Sequence, residues 1–244
     1  MDIQDVISRL KKSLFQEGVV RPSNEWQGVE APDKLLEIFN KFVVMAIPYH
    51  RHLLAKETQA DLPWAENHFL ERVSGKPLNP GNEYKNWPYY REMDNDKLFR
   101  NDREGDKFSH TYMERMWCSG FRGIGYPYGD FENLINRIIQ DPYGRQHYFA
   151  IWHPEDQSEG SRRRPCTIGY WFYIEDQYLH CTYHIRSCDI LRHLHNDIYL
   201  TGRLMQYIKE ELSNFMPYLT VGDLHMWIGS LHCFESEKNF RLQK

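Results

Sequence analysis

Two rhythms of apolar and polar residues run along this chain, and the switches between them mark its elements. A helical period opens it, in the amphipathic stretch MDIQDVISRLKKSLFQ. A polar turn, RPSNEWQG, separates that helix from a long apolar stretch, LLEIFNKFVVMAIPY. Helical spacing returns in DLPWAENHFLER (61–72), where Asp61 is placed to cap the first turn. From 74 to 107 periodicity lapses among Gly, Pro, Asn and charged residues, which predicts a long loop or lid. FENLINRIIQ (131–140) sets Leu134, Ile135, Ile138 and Ile139 on one helical face and stops at Asp141-Pro142. HYFAIW (147–152) reads as a buried strand, and HPEDQSEGSRRRP (153–165) as a polar loop. CTIGYWFYI and YLHCTYHIRS follow as two long strands that turn at Glu175-Asp176-Gln177. A second strong helix, DIYLTGRLMQYIKEEL (197–212), and a last strand, DLHMWIGSLHCF (223–234), complete the pattern. Strands and helices mix without strict alternation, so residues 1–244 read as one α+β layered domain around a large sheet.

Composition narrows the function classes. The net charge of −4 argues against a general binder of nucleic-acid polymers, while local basic clusters remain suited to a small anion such as a phosphate. No apolar run approaches the roughly 18 residues of a membrane span, and the first helix lacks the pattern of a signal peptide. Five cysteines (118, 166, 181, 188, 233) lack the spacing of a disulfide framework. The expectation is a reduced, cytoplasmic protein without a membrane partner.

One cysteine stands out. RRRPCTIGYW (162–171) puts three arginines and a proline directly before Cys166 at the mouth of a strand. A thiol attacks as thiolate, and nearby cations lower its pKa. Taken alone, Cys166 reads equally as a small buried hydrophobe beside a solvated loop. The histidines and remaining cysteines match no metal motif, since neither His-Glu-x-x-His nor paired Cys-x-x-Cys occurs, so no metal is expected. GIGYPYG (123–129) lacks the Lys-Ser/Thr of a phosphate loop and reads as a turn.

Five short blocks, in order, change the picture: DPYGRQHYFAIW (141–152), Pro165-Cys166, RSCD (186–189), Asn196-Asp197 and GSLHCF (229–234). Together they resemble the thymidylate synthase superfamily over residues 110–235, about half the chain, and most closely its deoxycytidylate 5-hydroxymethylase branch. The resemblance implies a thymidylate synthase-like fold, with a large mixed β-sheet flanked by helices and a homodimer formed through the sheet. It also implies a pyrimidine nucleoside monophosphate as substrate and 5,10-methylenetetrahydrofolate as one-carbon donor.

The resemblance assigns roles residue by residue. Cys166 would add to carbon 6 of the pyrimidine and make carbon 5 nucleophilic. Arg186 would hold the thiolate and, with Ser187, bind the substrate phosphate; Arg145 would reach a phosphate across the dimer interface, and Arg21 joins the substrate-binding set. Gln146 stands where the family carries a second arginine. Glu66 resembles a buried general-acid glutamate, with a solvated helix-face Glu as the alternative. Tyr112 resembles a tyrosine near the nucleophile, with a core ring as the alternative. Asn196 precedes the base-reading position and joins the substrate set, and His232 would reach the sugar hydroxyl. Asp189 matches the acid that binds the pterin, and Trp87 could stack on folate or the exocyclic methylene. Two departures bear on folate: Arg192-His193 replace the family's Leu-Gly, and the chain ends ten residues after Phe234.

Base choice turns on Asp197. Synthases carry Asn there, whose amide suits the donor and acceptor order of uracil. Cytosine inverts that order, and a protonated carboxyl can donate to nitrogen 3 and accept from the amine. Burial favours the protonated form. The alternative is a helix N-cap, since Asp197 opens the helical period. The reading is therefore dCMP 5-hydroxymethylation. Its rivals are a methyl product, CMP or dUMP as substrate, and a nucleotide-binding pseudoenzyme.

Overall fold

The computed structural model describes residues 1–23, 31, 33–89, 103–104, 107–108, 110–117, 130–157 and 164–240. Arg162, Arg163, Cys118, the GIGYPYG turn, most of the RPSNEWQG turn and the middle of the expected lid lie outside them.

Helix α1 (Ile3–Glu17) is capped by the Asp2 carboxylate and buries Ile3, Val6, Ile7, Leu10 and Leu14. Edge strand β1 (Val19–Arg21) leads to β2 (Leu35–Ala46), so the apolar stretch after the first turn is a strand. Two short helices follow, α2 (Arg51–Thr58) and α3 (Trp64–Arg72). The cap position of α3 is Pro63, not Asp61. The Asp61 carboxylate instead takes hydrogen bonds from His195 and Asn196, 135 residues away in sequence for the latter. Within 74–107, the described part holds a 3-10 turn at Asn82–Asn86 and a hairpin of β3 (Arg103–Glu104) with β4 (Lys107–Phe108). Helix α4 (Tyr112–Met116) begins on a Thr111/Glu114 capping box, and α5 (Asp130–Gln140) buries Phe131, Leu134 and Ile138.

The main sheet runs β1-β2-β8-β7-β6-β5, completed by β5 (Tyr148–Ala150), β6 (Thr167–Glu175), β7 (Tyr178–Asp189) and β8 (Thr220–Phe234). All neighbours are antiparallel except β7 and β8. That parallel pair requires a crossover, supplied by α6 (Leu194–Glu211). Strand β5 is an edge with only Phe149 buried, so the HYFAIW segment is not the fully buried strand its run of apolar residues suggests. The β6–β7 turn falls at Asp176, whose positive φ of 54° an Asp tolerates.

Alternation splits the sheet into two faces. Leu179, Cys181, Tyr183 and Ile185 of β7 join Leu224, Met226 and Ile228 of β8 in one core with α1, α5 and α6. The opposite face carries Trp171, Tyr173, His184 and Trp227, with Phe42 58% exposed. Gly229 has a local purpose: a Cβ there would meet the Arg186 carbonyl oxygen at 2.8 Å, so glycine lets β8 run close beside Arg186.

Candidate functional site

Chain geometry brings one end of β6, β7, α4 and α6 together. Cys166 sits directly before β6, part-buried against the core, and its carbonyl accepts the Arg186 amide at 2.9 Å. The Arg186 guanidinium donates from Nε to the Pro165 carbonyl at 2.9 Å and from Nη2 to the Arg164 carbonyl at 3.0 Å, with the Trp152 ring 5.8 Å away. This places a cation against the loop that carries the thiol. Arg164 directs its Nε elsewhere, to the Asp156 carbonyl at 2.7 Å. Of the arginine run, Arg164 therefore acts as a strut.

From the other side, Thr167, next to Cys166, bonds the hydroxyls of Tyr112 (3.3 Å) and Tyr183 (2.8 Å). Burial, then the nearby Cys166 charge, pushes the Tyr112 hydroxyl above its ordinary pKa, so it stays protonated near neutrality. The Arg72 guanidinium lies 4.4 Å over the Tyr112 ring. Sequence reasoning passed over Arg72, at the end of α3, because it weighed only Glu66 on that helix.

Asp197 lies in the first turn of α6, its amide bonded to the His193 carbonyl at 2.8 Å. The cap position is His193, so Asp197 is not the N-cap. Its carboxylate faces the Cys188 thiol at 3.6 Å. Burial raises its pKa to about 7, against partial opposition from Arg72 and the Cys188 hydrogen bond. Cys188 interacts electrostatically with both Cys166 and Asp197, so one buried thiol feels both groups. In the sequence Cys188 is weighed only as part of RSCD and among possible metal ligands, not as a neighbour of Asp197.

Several expected site residues are engaged elsewhere. Asn196 is 2% exposed, and its amide spans Asp61, accepting from the Asp61 amide at 3.0 Å and donating to its carboxylate at 2.7 Å. It therefore braces α6 against the approach to α3. Glu66 accepts from Arg203 (3.0 and 3.1 Å), the Tyr199 hydroxyl (2.7 Å) and Arg51 (3.0 Å). Burial alone would raise its pKa, but the Arg203 and Tyr199 hydrogen bonds, the Arg203 charge and Arg51 hold it below the ordinary glutamate value. A carboxylate held ionised by two guanidinium groups is unsuited to be a general acid. Arg21 is on the exposed edge strand, 4.9 Å over the Phe39 ring. Arg145 is exposed in the turn between α5 and β5. Ser187 pairs with Ser230 across β7 and β8. His232 is 7% exposed, is kept neutral by burial, and has an Nδ1 with no hydrogen-bond partner among the described residues.

The two residues expected to hold folate do not fit it as folded. Asp189 is 3% exposed; its carboxylate takes the amides of Leu191 and Arg192 at 2.9 and 3.1 Å and the Arg192 guanidinium at 3.1 Å. Arg192 also pairs with Glu237 at 2.6 Å, tying this turn to α7 (Glu237–Phe240). The Trp87 ring stacks on His193 with centroids 4.9 Å apart. Arg192 and His193, which stand where the family carries Leu-Gly, thus cover Asp189 and Trp87.

The sheet's outer face holds one further cluster. His180, Asp223 and His225 bring possible donor atoms within 4.8 Å of one another, because a register shift between Leu179 and Cys181 sets His180 opposite Gly222 and Asp223. His180 Nδ1 accepts the Asp223 amide at 3.0 Å, so its proton is on Nε2, and His225 Nε2 bonds the Tyr173 hydroxyl at 3.1 Å. As folded, these are hydrogen-bonded histidines; the lone pair of His180 is already committed. Among the described residues, no helix is long and apolar enough to cross a membrane.

Comparison with known proteins agrees with the geometry. The thymidylate synthase family model matches residues 81–239. A thymidylate synthase of Mesoplasma florum is 24% identical over 161 residues, 61% of this chain and 55% of that protein. One from Buchnera aphidicola is 28% identical over 116 residues, 46% of this chain and 43% of its own length. The chain thus spans about half the length of the curated relatives it matches. Thermostable thymidylate synthase A from Bacillus subtilis superposes with a TM-score of 0.71 at 14% identity, over all of this chain and 84% of that one, which shows the fold. With the family model covering well over half its residues, the chain belongs to the thymidylate synthase family.

Proposed function

We propose that this protein activates carbon 5 of a cytidine monophosphate, with dCMP the expected substrate, and that a one-carbon unit is added there to give the 5-hydroxymethyl product. The observation that carries the reading is Asp197: a carboxyl with a pKa of about 7 that faces the Cys188 thiol, at the position that the family resemblance makes the reader of the base. Cys166 adds as thiolate to carbon 6, and the electron pair of the 5,6 double bond moves onto carbon 5 and toward nitrogen 3. Protonated Asp197 donates to nitrogen 3 and accepts from the exocyclic amine, so it stabilises the charge that the addition creates. Carbon 5 then attacks a one-carbon donor at the formaldehyde oxidation level and loses its proton; where the donor departs as an amine, the exocyclic methylene left on carbon 5 takes up water as the hydroxyl, and the thiolate leaves carbon 6. Arg186 keeps its cation against the thiol loop and, with Ser187, meets the substrate phosphate. Because Asp189 and Trp87 are covered, no step is assigned to folate.

A second copy of the chain belongs to the reading. The sheet's outer face, with Phe42, Trp171, Tyr173 and Trp227, is the surface on which another sheet would pack, and exposed Arg145 would reach the neighbouring site. Mixing inactive Arg145→Ala with inactive Cys166→Ser protein should restore activity through hybrid dimers. No recovery despite proven subunit exchange would remove the shared site.

Release of tritium from [5-³H]dCMP tests the activation step directly. Comparing release with and without methylenetetrahydrofolate separates a folate-dependent enzyme from one using another donor. The absence of release under both conditions, with dCMP still bound, would favour the pseudoenzyme.

A further inference from the structure

We infer that Asp156 is a positioning residue for the nucleophile, holding the loop ahead of Cys166 through Arg115 on one side and Arg164 on the other. The inference rests on the reading of Cys166 as nucleophile. Its basis is a continuous chain of contacts. Arg115 and Asp156 form an ion pair at 2.7 Å in which both side chains are almost completely buried. The second carboxylate oxygen of Asp156 accepts the His153 amide at 2.8 Å, fixing the turn at Pro154–Gln157. The Asp156 carbonyl then accepts Arg164 Nε at 2.7 Å, and the Arg164 and Pro165 carbonyls accept the Arg186 guanidinium. Each link fixes the next, and the last one is the cation held against the loop that carries the thiol.

Helix α4 makes this chain more than a surface buckle. The same five-residue helix supplies Arg115 to Asp156 and Tyr112 to Thr167, so it grips the segment on both sides of Cys166. The helix is itself anchored: Thr111 donates to the Leu78 carbonyl at 2.7 Å, and Glu114 accepts from Asn79 at 2.8 Å. A buried ion pair is a costly way to join two elements and a weak one to stabilise a fold, but its fixed geometry suits a part that sets a register. If it slackens, Arg164 and the Arg186 cation lose their fixed distance from the thiol. Among the described residues, the Tyr112 hydroxyl from α4 and the Cys188 thiol from β7 also interact electrostatically with Cys166.

The test is the pH dependence of Cys166 alkylation by iodoacetamide, taken as the signal lost in Cys166→Ser, together with tritium release from [5-³H]dCMP. Asp156→Asn keeps the size of the side chain and removes the charge. Arg164→Gln changes an exposed residue and cuts the next link without leaving a buried charge unpaired. In both, the alkylation midpoint should move upward by about one unit as the cation withdraws. The kcat for tritium release should fall about 10- to 100-fold, as expected for a misplaced reacting group, and KM for dCMP should rise as well, because the same Arg186 meets the substrate phosphate. A variant that only folds poorly would lose amplitude and keep its midpoint, and Arg164→Gln decides the matter if Asp156→Asn does not fold. Wild-type midpoints in both folded variants would overturn the inference. Alkylation needs no substrate, so failure of the cytidylate reading, seen as no tritium release from wild type, is separable from failure of this one.

Discussion

Two carboxyl groups, Asp197 and Glu66, lie against helix α6, and the fold treats them in opposite ways. Asp197 has a thiol and a distant guanidinium for company, and burial lifts its pKa to about 7. Glu66 is part-buried, yet Arg203, Tyr199 and Arg51 surround it and keep it ionised. The difference teaches that burial alone decides little. What matters is whether donors arrive with it, because donors to the charged form offset desolvation. The first group can give and take a proton near neutrality, whereas the second is a brace between α3, α2 and α6.

The largest effect should come from Cys166, the nucleophile of the proposed mechanism. Cys166→Ser should abolish tritium release while dCMP binding persists, since an alcohol is a far poorer nucleophile than a thiolate at neutral pH. Substantial residual release would take Cys166 out of the mechanism and leave Asp197 with nothing to assist. Glu66→Gln sharpens the contrast from the other side. It should destabilise by roughly 1–3 kcal/mol, because Arg203 loses a charged acceptor. At about 2–4 °C per kcal/mol for a chain of this size, thermal melting would show it. Below the melting transition the pH profile of turnover should match wild type. Loss of turnover in folded Glu66→Gln would restore Glu66 as the general acid.

A smaller effect follows from linkage. Asp197 binds its proton more tightly folded than unfolded, so its contribution to stability falls as pH rises from about 4 to about 7 and stays low above that. Asp197→Asn should therefore melt higher than wild type at pH 8, by at least ~2 °C, with the gap closing toward pH 4. A gap of constant size at both pH values would mean that the carboxyl is not held protonated by burial.

Much of this was legible in the residues. The helical period of 131–140, the strands flanking Glu175-Asp176-Gln177 and the crossover helix follow from local pattern, and the structure has them close to those bounds. Asp61 shows where local reasoning ends. Its position before a helical run suggested a cap, but its partners His195 and Asn196 come from a helix far along the chain. Glu66 fails for the same reason, since Arg203 and Tyr199 have no sequence signature that points back to it. Arg72 and Asp156 escaped notice, and Cys188 was weighed only within RSCD or as a possible metal ligand, because the neighbours of each are set by the fold. By contrast, Arg192-His193 was visible as a departure from pattern, and the ion pair with Glu237 and the stack on Trp87 give it a physical form.

The central claim is that the Asp197 carboxylic acid selects cytosine over uracil, and kcat/KM for dCMP and dUMP, measured in wild type and Asp197→Asn across pH, tests it most directly. An unpaired buried polar contact costs roughly 1–3 kcal/mol, or about 5- to 150-fold in kcat/KM. Wild type should prefer dCMP by that order and lose the preference as pH rises above about 7, where Asp197 gives up its proton. Asp197→Asn should shift the ratio toward dUMP and lack that alkaline limb. A wild type that prefers dUMP, or a ratio that the substitution leaves unchanged, would contradict the account.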